Sequence, residues 1–298
     1  MNKIKIIFFG THEFASVILK GLIEDPLIDI KKVVTQPDRP AGRKKNLQKT
    51  PVKILSEKYG LIVDQPDKLK NYNLDNADLN IVADYGMIIP QKILDAPKHG
   101  SINVHPSLLP KYRGPSPIQT ALLNGETESG VSIMLMDDKM DHGPILAQQS
   151  LVIEADDTYP LLSKKMAEKA IKMLLPVISK WINGEIQVKV QDDAQASLCH
   201  MLSRDHGQVD FNRSAQEIYN QYRALLPWPG IWTELDGKRL KLLKIRIADK
   251  NIKQGEFDFT DGHFYIGCNS NSIEILELQP EGKKSMTAKN FINGYQQK

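Results

Sequence analysis

The sequence predicts an α/β domain built on a mainly parallel sheet, followed by a smaller β domain. Three observations carry this reading. Short apolar strands alternate with helical segments from Lys3 to Ile182, the period is lost from Glu185 to Arg204, and several short strands with little helix follow. A chain of 298 residues is also long for one core, since domains run to roughly 100–200 residues each.

The elements follow in order. "KIKIIFFG" alternates and then runs apolar, as a buried strand does, and Gly10 ends it. "THEFASVILKGLIE" places Phe14, Val17, Ile18 and Leu22 at helical spacing, with Glu13 at the positive end of the helix dipole. "IDIKKVVT" is a second strand. Thr50-Pro51 reads as an N-cap followed by proline at the first helical position, and Gly60 closes that helix. "LIVD", "LNIVAD" and "SINVH" are further strands, with helical "PQKILDA" among them. Ser116 and Gln119 have capping-box spacing at the start of "PIQTALLN", which Gly125 stops. "GVSIMLMD" and "AQQSLVI" are strands, and a long helix runs from about Thr158 to Ile182.

The expected organisation is a first domain over residues 1–189, a linker over 190–204 and a second domain over 205–298. In the second domain, Ser214 and Glu217 open a helix and "PWPG" breaks the chain. The strands "IWTEL", "KRLKLLKIRIA", "HFYIG" and "SIEILELQ" follow, with a type I′ hairpin signal at Asp236-Gly237 and a last helix in "MTAKNFING". A small OB-like β-barrel, the kind that contacts oligonucleotides, fits this pattern; a β-sandwich fits it nearly as well.

Composition excludes several classes. Hydrophobic residues at 41% and charged residues at 25% are ordinary for a globular protein. The opening apolar run is too short for a signal peptide and far below the ~20 residues a membrane span needs, so a cytoplasmic protein with no membrane partner is expected. Cys199 and Cys268 lack a CxxC partner and read as free thiols rather than a zinc site. Net charge is only +3, yet "PDRPAGRKKNLQKTPVK" sets Arg39, Arg43, Lys44, Lys45, Lys49 and Lys53 against Asp38, a local excess of +5. A charge run is usually a solvated surface, but this one lies in a connection long for an α/β unit, and such loops are often functional.

Asn103 and His105 stand two apart in a strand, so both point to the same side, and they sit where the strand gives way to loop. Ligands bind there in open α/β sheets. An amide donor beside an imidazole suits oxyanion stabilisation during attack on a carbonyl, although polar pairs at strand ends are common without function. Ser107 is a weaker nucleophile candidate, because "HPSLLP" lacks the G-x-S-x-G elbow. A metal on His105 and His142 lacks ligand spacing and a carboxylate pair, and "GTHEFA" lacks the glycine spacing of a dinucleotide site.

"NVHPSLLPKYRG" followed by "DDKMDHGPIL" resembles the folate-dependent formyltransferases. "IIFFGTHEFASVIL", "YGMIIP", "NGETESGVSIMLMD" and "SAQEIYNQYRALLPWPGIW" fall in that family's order, so the likeness covers the whole chain. The basic insertion and second domain resemble its tRNA-acting branch. The resemblance implies a Rossmann-like catalytic domain with Asn103, His105 and Asp141 as catalytic groups and no metal. It implies 10-formyltetrahydrofolate as formyl donor, released as tetrahydrofolate, and the α-amino group of methionine on initiator tRNA as acceptor. Ser107, Leu108, Leu109 and Pro110 match the folate-contact segment, and Tyr85, Gly86 and Met87 are a further candidate wall; core packing is the plain alternative for the leucines. Arg39, Arg43, Lys44, Lys45 and Lys49 are the expected tRNA contacts, with "KRLKLLKIR" as a second, and the enzyme is expected to be a monomer. Formylation of a small amine, hydrolysis of the donor and a non-catalytic RNA-binding module are the competing readings. His12, Lys44, Asp84 and Pro106 depart from the family's pattern without touching the catalytic three.

Overall fold

The computed structural model describes residues 3–41 and 46–295. Two compact units emerge: residues 1–117, 128–152 and 162–200 form one, and 118–127, 153–161 and 201–298 the other.

In the first unit the strands are β1 (Ile4–Gly10), β2 (Ile28–Val34), β3 (Arg39–Ala41), β4 (Asn46–Gln48), β5 (Val63–Asp64), β6 (Leu79–Ala83), β7 (Ser101–His105), β8 (Glu128–Leu135) and β9 (Ile145–Val152). The helices are α1 (Glu13–Glu24), α2 (Pro51–Lys58), α3 (Gln91–Leu94) and most of α5 (Tyr159–Ile182), while α4 (Pro117–Leu123) falls, after Pro117, in the second unit. Seven strands form one sheet in the order β5-β2-β1-β6-β7-β8-β9. The first five are mutually parallel, and β8 and β9 are added antiparallel. Ile6 to Phe9 of central β1 are wholly buried, which explains the continuous apolar run: both faces of an inner parallel strand are covered. Thr50 caps α2 by accepting from the Lys53 amide at 3.1 Å, with Pro51 at the first turn.

Two features add to the sequence reading. The basic stretch is not all loop, since β3 and β4 pair as a short antiparallel ribbon. The mainly parallel sheet ends in an antiparallel hairpin, and that hairpin has a consequence for the site. Leu135, where β8 ends, lies opposite Ile102 rather than His105. The connection to β9 must therefore double back before it can reach the end of β7.

The second unit contains α6 (Ala215–Leu225), β10 (Ile231–Leu235), β11 (Lys238–Ala248), β12 (Phe257–Asp258), β13 (Phe264–Gly267), β14 (Ser272–Pro280), β15 (Met286–Thr287) and α7 (Ala288–Tyr295). Its antiparallel sheet runs β10-β11-β14-β13-β12, with β15 on β14, and is the small β domain expected. The Ser214–Glu217 capping box forms in both directions, at 3.2 and 2.8 Å. Asp236 (φ 51°) and Gly237 (φ 70°) both take the left-handed conformation that a type I′ turn demands. Leu240, Leu242, Ile245, Phe264, Ile266, Ile273 and Ile275 are buried from alternating strand positions.

Candidate active site

Asn103 and His105 project from the end of β7, and both are buried. Asp141 comes from the loop between β8 and β9 and meets both of them. Its Oδ1 accepts from the Asn103 amide at 3.1 Å, and its Oδ2 lies 3.6 Å from His105 Nδ1. A second donor, the Gly114 N–H, reaches Oδ2 at 2.8 Å. Two neutral donors thus hold the carboxylate in place. The second N–H of the Asn103 amide remains for another acceptor.

The His105 ring has a defined orientation. Nε2 lies 2.9 Å from the Tyr112 carbonyl oxygen, which can only accept, so Nε2 carries a hydrogen. Nδ1 is then the nitrogen turned toward Asp141. At 3.6 Å that approach is longer than a hydrogen bond and leaves Nδ1 available.

The loop after β7 is fixed by its own polar groups. Ser107 is fully buried and its hydroxyl donates to the Lys111 carbonyl at 2.6 Å, which removes it as a nucleophile. Ser132 donates to the Ser107 carbonyl at 2.6 Å and accepts from the Leu109 amide at 3.0 Å, while Gln148 donates to the Leu109 carbonyl at 2.9 Å. Leu109 packs with Met134 and Ile145 in a buried cluster. The segment therefore presents its half-buried Leu108 and Pro110, rather than Ser107 or Leu109, as side-chain surface. Tyr85 likewise faces the core: its ring meets Phe9 edge-on at 5.5 Å, and burial pushes its hydroxyl up to about 12. Its carbonyl accepts from Thr11 and Gln36, while Gly86 is exposed and Met87 half-buried. Gly86 (φ 74°) takes the left-handed conformation that favours glycine, and a Cβ there would push aside the Gln36 side-chain amide.

Residues 189–199, at and within the expected linker, make defined contacts with the rest of the first unit. Arg113 and residues 197–199 exchange backbone bonds, and Lys189 pairs with Ile145. The buried Gln191 side chain accepts from Arg113 Nε and Nη2, and Arg113 Nη2 also reaches Asp193 at 2.8 Å. That guanidinium holds the Asp193 carboxyl below its usual range. Neither Arg113, Gly114 nor Gln191 was anticipated; a buried amide and guanidinium leave no periodic signal. Cys199 is also part of this segment, its sulfur taking the Ser116 N–H at 3.3 Å, and burial raises its thiol.

Among the expected tRNA contacts, Arg39 is exposed on β3, whereas Lys49 is engaged by Glu57 at 2.7 Å. Arg43, Lys44 and Lys45 lie outside the described residues. Lys53, counted in the same basic run, bridges Asp38 and Gln65 at 2.6 Å each and holds the Asp38 carboxyl low. The free positive charge is therefore smaller than the residue count implies. His12 and Asp84, both departures from the family pattern, turn out to be partners at 3.1 Å, and the bond to Asp84 raises His12. On β11, Arg246 bonds Glu274 at 2.6 Å and Arg239 stacks 3.9 Å over Trp232, which leaves Lys238, Lys241 and Lys244 as the other exposed cations. Among the described residues no helix is long and apolar enough to cross a membrane, and no group of three or more His, Cys, Asp or Glu is placed to hold a metal.

Known proteins resemble this chain in sequence and in fold. Residues 2–178 match the formyl transferase family, and residues 201–296 match the formyl transferase C-terminal domain. The methionyl-tRNA formyltransferases of Caldicellulosiruptor saccharolyticus and Thermodesulfovibrio yellowstonii are each 41% identical over 97% of this chain, covering 96% and 95% of their own lengths. The solved N-formyltransferase of Helicobacter canadensis, in complex with folinic acid and dTDP-3-aminofucose, shares the fold with a TM-score of 0.68 at 21% identity, over 93% of this chain and 99% of its own.

Proposed function

The chain belongs to the methionyl-tRNA formyltransferase family, and from that premise we propose how its residues move the formyl group. The donor is 10-formyltetrahydrofolate and the acceptor is the α-amino group of methionine esterified to initiator tRNA. The observation that carries the assignment of catalytic groups is the convergence of Asn103, His105 and Asp141 within 3.1–3.6 Å at the end of β7.

The donor supplies an activated formyl carbon. The half-buried Leu108 and Pro110, together with exposed backbone at Gly86, suit the flat, partly apolar ring of a pterin, which needs both a wall and backbone hydrogen bonds. The acceptor amine attacks as the free base; such groups titrate near pH ~7.7–8.0, so modest base assistance suffices. As the new C–N bond forms, negative charge builds on the formyl oxygen. The unused N–H of Asn103 and, in the imidazolium form, the Nδ1–H of His105 donate to that oxygen and stabilise its charge. Asp141 accepts the proton that the attacking nitrogen sheds, and the bond to the donor nitrogen breaks as that nitrogen takes up a proton. Exposed Arg39, with Arg43, Lys44 and Lys45 of the same basic stretch of sequence, contacts phosphates near the acceptor end; Lys238, Lys241 and Lys244 of the second unit form the other contact.

The test is incubation with charged initiator tRNA and donor labelled in its formyl group. Label on the aminoacyl ester is the expected result. Label released as formate without any acceptor requirement would assign a hydrolase instead.

A further inference from the structure

We propose that Gln191 is a positioning residue for the catalytic carboxylate: it couples Arg113 to the two backbone carbonyls that flank His142, and so fixes the loop from which Asp141 projects. The proposal rests on the assignment of Asn103, His105 and Asp141 made above.

Asp141 has φ 49°, the left-handed region, which a residue with a Cβ holds only where its surroundings over-determine it. The base of its loop is closed by Leu135 N–H to the Pro144 carbonyl and Met136 N–H to the Ser101 carbonyl, both 2.9 Å. Gly143 is pressed so close to β8 that a Cβ there would stand 1.9 Å from the Leu135 oxygen. These contacts fix where the loop begins and ends, but not the carbonyl direction at Asp141 itself. Gln191 does that. Its Nε2 donates to the Asp141 carbonyl at 2.9 Å and to the Gly143 carbonyl at 2.8 Å. Its Oε1 accepts from Arg113 Nε at 3.1 Å and Nη2 at 2.9 Å.

All four hydrogen-bonding positions of this amide are thus used, and its orientation is forced. Arginine only donates and carbonyls only accept, so oxygen must face the guanidinium and nitrogen the loop. Arg113 is anchored in turn by Asp193 and by backbone pairing with Ser197 and Cys199. The same loop is tied a second time through His142, whose Nδ1 meets Asp137 at 2.7 Å and whose Nε2 lies 3.5 Å from Asp193. A reacting group displaced by about 1 Å can cost ~10²-fold in rate, so a clamp on the backbone of Asp141 acts directly on turnover.

Gln191→Glu isolates the clamp. It keeps the shape and the bond to Arg113, but it sets an acceptor oxygen against two carbonyl oxygens. The expected result, with purified enzyme and both substrates, is a kcat at least ~10-fold lower, KM values for donor and charged tRNA within about twofold, and retained folding by circular dichroism. A merely structural role would lower the melting temperature without that split between kcat and KM. Wild-type kcat in folded Gln191→Glu overturns the proposal. If that variant does not fold, Arg113→Lys decides: it keeps a cation for Asp193 but loses the two-pronged grip on Oε1, and wild-type kcat in it overturns the proposal equally. Failure of both to fold assigns the pair to stability and also overturns it. Asp141→Asn is assayed alongside. Full turnover there removes the catalytic assignment itself, whereas an inactive Asp141→Asn beside a fully active Gln191→Glu removes only the positioning role.

Discussion

Arg113 and Arg223 are both buried, one in each unit, and they are used in opposite ways. Arg113 meets a side-chain amide and a carboxylate, and through the amide it reaches the loop that carries Asp141. Arg223 donates to the carbonyls of Glu154 and Asp157 at 3.2 and 3.0 Å and to the Asn220 side chain at 2.8 Å, all neutral acceptors. Its Nε is buried without a partner, and burial pulls its guanidinium below the ordinary value. The difference teaches that a buried guanidinium has no fixed role. What it grips decides whether the result is a held turn or a held reactive group.

The largest test of that contrast is Asp141→Asn, because everything Arg113 serves passes through this carboxylate. Turnover should fall by roughly 10³ or more with donor binding retained. Undiminished turnover would leave Arg113 no different in kind from Arg223. Asn103→Ala sharpens the same side, since loss of one oxyanion donor costs ~10²–10³ in kcat; a change in KM alone would move Asn103 out of the chemistry. On the other side, Arg223→Met should destabilise the protein by about 1–3 kcal/mol, because buried carbonyls lose their donor. Its kcat should stay within about twofold, and a deep kcat loss in the folded variant would erase the contrast.

The smallest effect concerns an exposed pair. The bond to Asp84 raises His12 in the folded protein, so the stabilisation is complete below the unfolded value of about 6.5 and is lost as pH rises through the folded value. Because the His12 side chain is 58% exposed, the contribution is below ~1 kcal/mol. Asp84→Asn should therefore lower the melting temperature slightly at pH 5.5 and leave it unchanged at pH 8.5. Equal losses at both would show that the histidine's charge is not involved.

Much of this was legible in the sequence, for identifiable reasons. Strands and caps are local, so Thr50, Ser214 and the Asp236-Gly237 turn announced themselves. Asn103 and His105 were readable because two-residue spacing in a strand fixes a common side. Asp141 was not readable from spacing; it stands 38 residues from Asn103, and only the resemblance pointed to it. The antiparallel turn of β8 and β9 was hidden because an apolar run reads alike in both directions. Gln191 and Arg113 lie 78 residues apart in segments without a period. Counting charge in the basic stretch overstated it, since composition cannot show that Lys49 and Lys53 are already matched by Glu57 and Asp38.

The Tyr112 carbonyl that takes the inner proton of His105 belongs to the main chain. No side-chain substitution at position 112 deletes it, so mutational scanning will pass over the group that decides which face of the imidazole meets the reaction. Replacing the amide that joins residues 112 and 113 by an ester weakens that oxygen as an acceptor and also removes the Arg113 N–H bonded to the Ser197 carbonyl. An ester after residue 197, which weakens that second bond alone, separates the two contributions.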